Sequence, residues 1–255
     1  MSNEPNARMR GIDRAVAILE FLKARRRPVS IGDMARALGA PRSSVYEIVG
    51  RFVEAGILET DQDNSVYFGR SVYFYADAYL ESQPLVRLGR DEAIRLSRAT
   101  GETTQLCMLV ANKYTVAFMH PGSSLFRISS ETGVLVPIPW TASGRLLLGG
   151  MTDDEIKELI PPEDFWLPDG REIKFKDFIK DVRDACKQYR TVTSGLSDPY
   201  TMCLAAAIRD QHANPAATIC FMVPANTDAH RRDELLNLLS ASADALSQRL
   251  SHLAN

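Results

Sequence analysis

Between Pro41 and Arg51 the chain places Arg42, Ser43, Ser44, Tyr46, Glu47 and Arg51 around apolar residues at helical spacing. Val45, Ile48, Val49 and Phe52 recur every three or four positions. They form one buried stripe and leave the polar set on the outer side of a helix over residues 41–55. A guanidinium suits guanine edges or phosphate, and hydroxyls suit phosphate, so this face has the chemistry of a helix laid in a major groove. Ser30 stands ahead of it and can accept from the exposed amides of the preceding helix, with Asp33 three residues on as its capping-box partner.

A second stretch, Pro-Ile-Pro-Trp-Thr-Ala-Ser-Gly-Arg at 137–145, has different chemistry. Two prolines keep the approach extended and Thr141 caps a helix. The small residues Ala142, Ser143 and Gly144 then leave amides open at its start, which suits a carboxylate or phosphate. A capped helix that binds nothing fits the same residues equally well. Trp140 adjoins this start, where its ring can stack on an aromatic acid. Strand residues facing inward should complete a pocket wall, with Gln105, Met108, Phe118, Phe126 and Phe221 as candidates. Plain core packing explains each of them too.

The thiols Cys107, Cys186, Cys203 and Cys220 have no CxxC spacing, and the four histidines are scattered, so neither a metal, a disulfide framework nor a cofactor is expected. An enzymatic alternative pairs Cys203 with His120. A nucleophilic Cys needs a base in reach and a third orienting group, and no local motif supplies them. The chain is therefore read as a non-enzyme.

The elements that position these residues follow from the sequence around them. A helix from Ile31 should end at Gly39, which enters the left-handed conformation without steric cost, and Pro41 suits the first turn of the next helix. Strands at Ile57–Glu59 and Val66–Phe68 around Asp-Gln-Asp-Asn-Ser form a wing. Its acidic tip makes a poor phosphate clamp, so the basic run Arg25, Arg26, Arg27 should supply electrostatic affinity. Upstream, Ile12, Ala15, Val16, Leu19 and Leu22 predict a packing helix, with Ile18 and Phe21 left to face a second subunit. Residues 71–84 predict a connecting helix whose Tyr73, Phe74, Tyr75 and Tyr79 are placed either at a dimer seam or on the chain's own domain.

Beyond Leu85 helix and strand alternate. Helices are expected at 85–100, 142–150, 153–159, 172–189 and 228–253. Strands are expected at 103–110, 115–119, 126–130, 191–196, 203–209 and 217–223. The order predicts an α+β fold with an antiparallel sheet and helices on one face. The domains are then a winged helix-turn-helix at 1–70, a linker helix at 71–84 and an effector-binding and oligomerisation domain at 85–255.

Composition sets limits on partners. A net charge of −2 over 255 residues argues against a general polyanion binder. Residues 1–70 hold 11 Lys/Arg against 9 Asp/Glu, and the remainder 19 against 23, so a mildly basic head joins an acidic body. No apolar run of about 18 residues occurs and the N-terminus has no apolar segment, so no membrane partner and a cytoplasmic location are expected.

The reading head, the aromatic linker, Thr-Gly-Glu-Thr-Thr-Gln-Leu-Cys-Met-Leu-Val at 100–110, the PxxxTAxGRxLL segment and Cys-Leu-Ala-Ala-Ala-Ile at 203–208 together resemble the bacterial IclR family of transcription regulators. The resemblance runs from about Gly11 to Leu253. It implies a winged helix joined to a GAF-like effector domain, homodimers or dimers of dimers on a double-stranded operator, and control of a catabolic operon by a small metabolite. Family effectors are often organic acids, including aromatic ones, held near a TAxGK loop and a CxA strand. Thr141, Ala142 and Gly144 match that loop, and Cys203 and Ala205 match that strand. Arg145 stands where the family usually has Lys. The segment 194–202 departs further, with Asp198 as its only acid. The resulting expectation is a ligand-responsive repressor whose effector is a small carboxylate; a DNA-binding architectural protein without a ligand is the alternative.

Overall fold

The computed structural model describes residues 11–123 and 131–253, and the chain divides into two units, before and after the Ser82–Gln83 bond. In the first unit, α1 (Gly11–Arg25), α2 (Ile31–Ala37) and α3 (Arg42–Glu54) surround a core of Ile18, Leu22, Met34, Val45, Val49 and Leu58. Strands β1 (Val29–Ser30), β2 (Leu58–Thr60) and β3 (Ser65–Phe68) form a sheet ordered β1-β3-β2, and α4 (Ser71–Ser82) closes the unit. This is the winged helix-turn-helix.

Local chemistry explains the turns. Ser30 Oγ accepts from the Asp33 amide at 3.1 Å and caps α2, but the Asp33 carboxylate accepts from the Ser30 hydroxyl at 2.9 Å and not from a backbone amide, so no full capping box forms. Gly39 then adopts φ +59°, which lets the chain reverse into α3. At the wing tip the Asp61 carboxylate accepts from the amides of Asp63 and Ser65, at 3.0 and 2.8 Å, and so closes the turn.

The phase of α1 differs from expectation. Ile18 is fully buried and Phe21 packs against the core, whereas Ile12 and Val16 are 80% and 54% exposed. Apolar residues occur around much of this helix, and contact with α3 selects the Ile18–Leu22 stripe. A second apolar face is left open. On α4, Tyr73, Phe74, Tyr75 and Tyr79 are all more than half exposed.

The second unit comprises α5 (Pro84–Thr100), β4 (Thr103–Val110), β5 (Lys113–His120), β6 (Leu135–Val136), α6 (Ala142–Leu147), α7 (Asp153–Leu159), α8 (Phe175–Gln188), β7 (Arg190–Ser194), β8 (Thr201–Arg209), β9 (Pro215–Pro224) and α9 (Ala229–Leu253). The strands form one antiparallel sheet in the order β6-β5-β4-β9-β8-β7. The strand expected at 126–130 lies outside the described residues.

Helices cover both faces of this sheet, not one. Cys203, Ala205 and Ala207 of β8 join Ala142 and Leu146 of α6 in one cluster. The alternate residues Leu204, Ala206 and Ile208 therefore point to the opposite face, which α5 and α9 cover. Thr201–Ile208 is buried without interruption, the pattern of a strand sandwiched on both sides. Gly89 of α5 allows the approach on that face, since a Cβ there would lie 2.7 Å from the Leu106 side chain.

Candidate functional site

In the first unit, Pro41 precedes α3 without any side-chain cap, so the opening amides of this helix stay available. Arg42, Ser43, Tyr46 and Glu47 are exposed on its first turns, and Ser44 is half-buried. Arg51 is exposed as well, but on the last turn, where it pairs with Glu54 at 3.0 Å. Ser30, engaged as the α2 cap, lines an open cleft of about 530 Å³ with Arg25, Arg27, Asp33 and Arg36. Within it, the Ser30 hydrogen bond and then the Arg36 and Arg42 charges hold the Asp33 carboxyl below the usual range.

The second unit encloses a cavity of about 320 Å³ where the start of α6 meets the sheet. Gln105 of β4, Cys203 of β8, and Cys220 and Met222 of β9 form its floor, and Tyr114 and Val116 of β5 flank them. Trp140, Thr141 and Ser143 make the wall on the helix side, and Glu131, Val134, Val136 and Ser197 complete it. Trp140 is fixed in place because its indole N–H donates to the Asp164 carbonyl at 2.8 Å, while the Asp164 carboxylate pairs with Lys113.

The floor is rich in sulfur. Cys107 and Cys220 thiols lie 3.9 Å apart, and Cys220 donates to Gln105 Oε1 at 3.7 Å. The Gln105 amide donates to the Met119 thioether at 3.6 Å. A hydrogen bond with Cys220 and complete burial push the Cys203 thiol well above its usual pKa, and the nearby backbone amides of Ser143 and Ala142 oppose that rise. Cys220 is raised by its hydrogen bond with Cys107 and by burial, against the contrary pull of Cys203. Tyr114 is also raised, chiefly by burial, with Thr141 opposing. Such thiols stay protonated and are poor nucleophiles.

At the α6 start, Thr141 Oγ1 accepts from the Gly144 amide at 3.3 Å. Of the three amides expected to receive an anion, that of Gly144 is therefore already engaged. The Ser143 hydroxyl, 1% exposed, has no hydrogen-bond partner. Arg145 turns away from the cavity: Nη1 donates to the Pro139 and Thr141 carbonyls at 3.0 Å each, and Asp181 takes the other side of the guanidinium at 3.4 Å. Burial lowers its pKa, and Asp181 opposes that shift.

Of the residues expected at the pocket, Gln105, Trp140, Thr141, Ser143 and Cys203 come together around it. Met108, Phe118 and Phe221 do not, because strand parity turns them to the face covered by α5 and α9; Arg90 of α5 lies 5.4 Å from the Phe118 ring. Ala142, Gly144 and Ala205 are buried behind the wall. A Cβ on Gly144 would lie 1.9 Å from the Ile138 carbonyl oxygen, so glycine serves helix packing there. The Asp198 carboxylate accepts from the Tyr200 amide at 2.7 Å, and its neighbour Ser197 reaches the cavity instead. Phe126 lies outside the described residues.

Sequence reasoning missed Cys220 and Met222, which flank Phe221 and share the parity of Cys203 across the register Cys203↔Met222 and Ala205↔Cys220. It also missed Tyr114, which falls just outside the strand expected at 115–119 although β5 begins at Lys113. Among the described residues no cluster of three or more His, Cys, Asp or Glu side chains is arranged to hold a metal, and no helix is long and apolar enough to cross a membrane.

Comparison with known proteins matches residues 11–62 to the IclR helix-turn-helix domain and residues 77–248 to the bacterial transcriptional regulator IclR C-terminal domain. The HTH-type transcriptional repressor AllR of Salmonella paratyphi A is 22% identical over 228 residues, covering 88% of this chain and 84% of its own. Thermotoga maritima IclR shares the fold with a TM-score of 0.75 at 20% identity, covering 94% of this chain and 98% of that one. An IclR homologue from Microbacterium hydrocarbonoxydans, complexed with 4-hydroxybenzoate, does so with a TM-score of 0.80 at 18% identity, covering 94% and 100%.

Proposed function

The chain belongs to the IclR family of bacterial transcriptional regulators, and we propose on that premise that it is a repressor released from a catabolic operator by a small planar effector. The observation that carries the ligand-sensing half is the Ser143 hydroxyl, buried without a partner beside a cavity of about 320 Å³. A buried polar group left unpaired costs about 1–3 kcal/mol, so a molecule that satisfies it gains affinity. The cavity is at the small end of the ligand range, and Trp140 gives it an aromatic wall.

In the DNA-binding half, α3 enters the major groove with Arg42, Ser43, Ser44, Tyr46 and Glu47, while Arg25 and Arg27 meet phosphates from the neighbouring cleft. Operator and regulator meet in the cytoplasm. The exposed faces of α1, at Ile12 and Val16, and of α4, at Tyr73, Phe74, Tyr75 and Tyr79, pair two copies, which matches a palindromic operator. Two dimers then associate through the second unit.

The test is fluorescence anisotropy with the DNA upstream of the regulated operon, run with and without a panel of small aromatic compounds. Specific binding that a cavity ligand weakens bears the reading out. Binding indifferent to every compound that raises the melting temperature returns the chain to an architectural role.

A further inference from the structure

We propose that Arg145 is a positioning residue of the cavity at the start of α6: its guanidinium holds the backbone carbonyls on either side of Trp140 and so keeps that ring in place as the cavity wall. This role deepens the reading of the cavity as the effector site, and rests on it for its use in ligand sensing.

Arg145 Nη1 donates to the carbonyls of Pro139 and Thr141, the two neighbours of Trp140, at 3.0 Å each. One nitrogen thereby ties down the chain before and after the ring. Nε and Nη2 lie on the other side, each 3.4 Å from the Asp181 carboxylate of α8, and Cζ stands 5.3 Å from the ring centroid of Phe178 on the same helix. The wall is thus moored to α8, which packs against α6. Only 4% of Arg145 is exposed, so these partners and not solvent satisfy its charge.

The indole has one further tether, from its N–H to the Asp164 carbonyl at 2.8 Å. A single bond at the ring edge leaves the backbone beneath it free to shift, and Arg145 removes that freedom. Arginine suits this task because its planar fork presents donors on two sides at once. The ammonium of a lysine is a single point, able to serve the carbonyls or Asp181 but not both.

The test measures how fast N-ethylmaleimide labels each thiol of the folded full-length protein, read peptide by peptide by mass spectrometry. Cys203 and Cys220 line the cavity, whereas Cys107 is buried in the same sheet outside that lining. A displaced wall therefore uncovers the first two and leaves the third covered. Arg145→Met keeps a long side chain without donors. Its initial rates at Cys203 and Cys220, relative to Cys107, should rise about tenfold, as the loss of one charged hydrogen bond allows. Arg145→Lys should raise the same ratio less, by about threefold, because part of the hold survives. Thermal unfolding checks that each variant is folded at the labelling temperature, and the lysine variant carries the test if the methionine one is not. A ratio that stays unchanged overturns the proposal, and so does an equal rise at all three thiols, which is what a merely structural role would give. Calorimetry of the unaltered protein with benzamide and with benzoate reads the effector site separately. If neither binds, the cavity fails as an aromatic effector site, while the labelling ratio still decides whether Arg145 holds the wall.

Discussion

Two helix starts in this chain use similar residues to opposite effect. α3 opens with Pro41, Arg42, Ser43 and Ser44, has no side-chain cap, and faces solvent. α6 opens with Thr141, Ala142, Ser143 and Gly144, is capped, and is buried against the sheet. Open amides beside an exposed arginine suit phosphate, whereas the capped and buried start brings an unpaired hydroxyl to a cavity. Residue type alone does not make a helix terminus an anion site; what already stands in front of it decides.

Gly144→Ala strikes the buried start hardest. The added Cβ falls 1.9 Å from the Ile138 carbonyl oxygen, a backbone atom that cannot swing aside. Denaturant titration should show a loss of about 3 kcal/mol, at the upper end for overpacking. A near-neutral result would mean that α6 does not press on the residue 138 turn.

Arg42→Ala should act on the open start without affecting stability. Operator affinity should fall by about 1–3 kcal/mol, and the salt dependence should lose about one counterion if the residue meets phosphate. Unchanged anisotropy titrations would remove Arg42 from the groove.

The two units should also differ in response to pH. In the head, Asp33 and Glu59 are held below their ordinary values of 3.8 and 4.5 by hydrogen bonds from Ser30 and Arg70 respectively. Their contribution is whole above those values and disappears as pH falls through the lowered folded ones. Around the cavity, Cys203 and Cys220 are raised above 9.0 and Tyr114 above 10.0. Stability linked to these neutral groups is whole below about pH 9 and declines as pH rises beyond it, because the unfolded chain ionises first. Melting curves across alkaline pH should therefore weaken the second unit, and combining Cys203→Ala with Cys220→Ala should flatten that decline. A decline unaltered by the double variant would place its origin elsewhere.

Arg51→Ala should do least. Its pair with Glu54 is solvent-exposed and sits at the far end of α3, so stability and operator affinity should each move by less than about 0.5 kcal/mol. A larger loss of operator affinity would extend the reading surface along the whole helix.

The head was legible because its signals are local. Ser30, Gly39 and Pro41 punctuate the chain within a few residues of the helices they bound, and Val45 and Val49 keep one period. α1 was harder, since Ile12, Val16, Ile18, Leu19, Phe21 and Leu22 leave several possible stripes and only packing against α3 selects one. In the second unit, strands were located but their faces were not. A shift of one residue separates Phe221, turned towards α5 and α9, from Cys220 and Met222 on the cavity floor. Bulk favoured the phenylalanine, whereas parity with Cys203 would have chosen its neighbours. The uninterrupted Cys203–Ile208 run already carried the sign of a doubly covered strand. Nothing in spacing could tell that Cys203, 62 residues beyond Thr141 in the chain, would line one cavity with the helix start.

Trp140 gives the molecule an optical gauge of its own. It is one of two tryptophans, anchored by its bond to Asp164 at the edge of the cavity, while Trp166 is 53% exposed. Replacing Trp166 by phenylalanine leaves a single tryptophan, so with excitation beyond the tyrosine band occupancy can be followed by intrinsic fluorescence without a dye or an attached label.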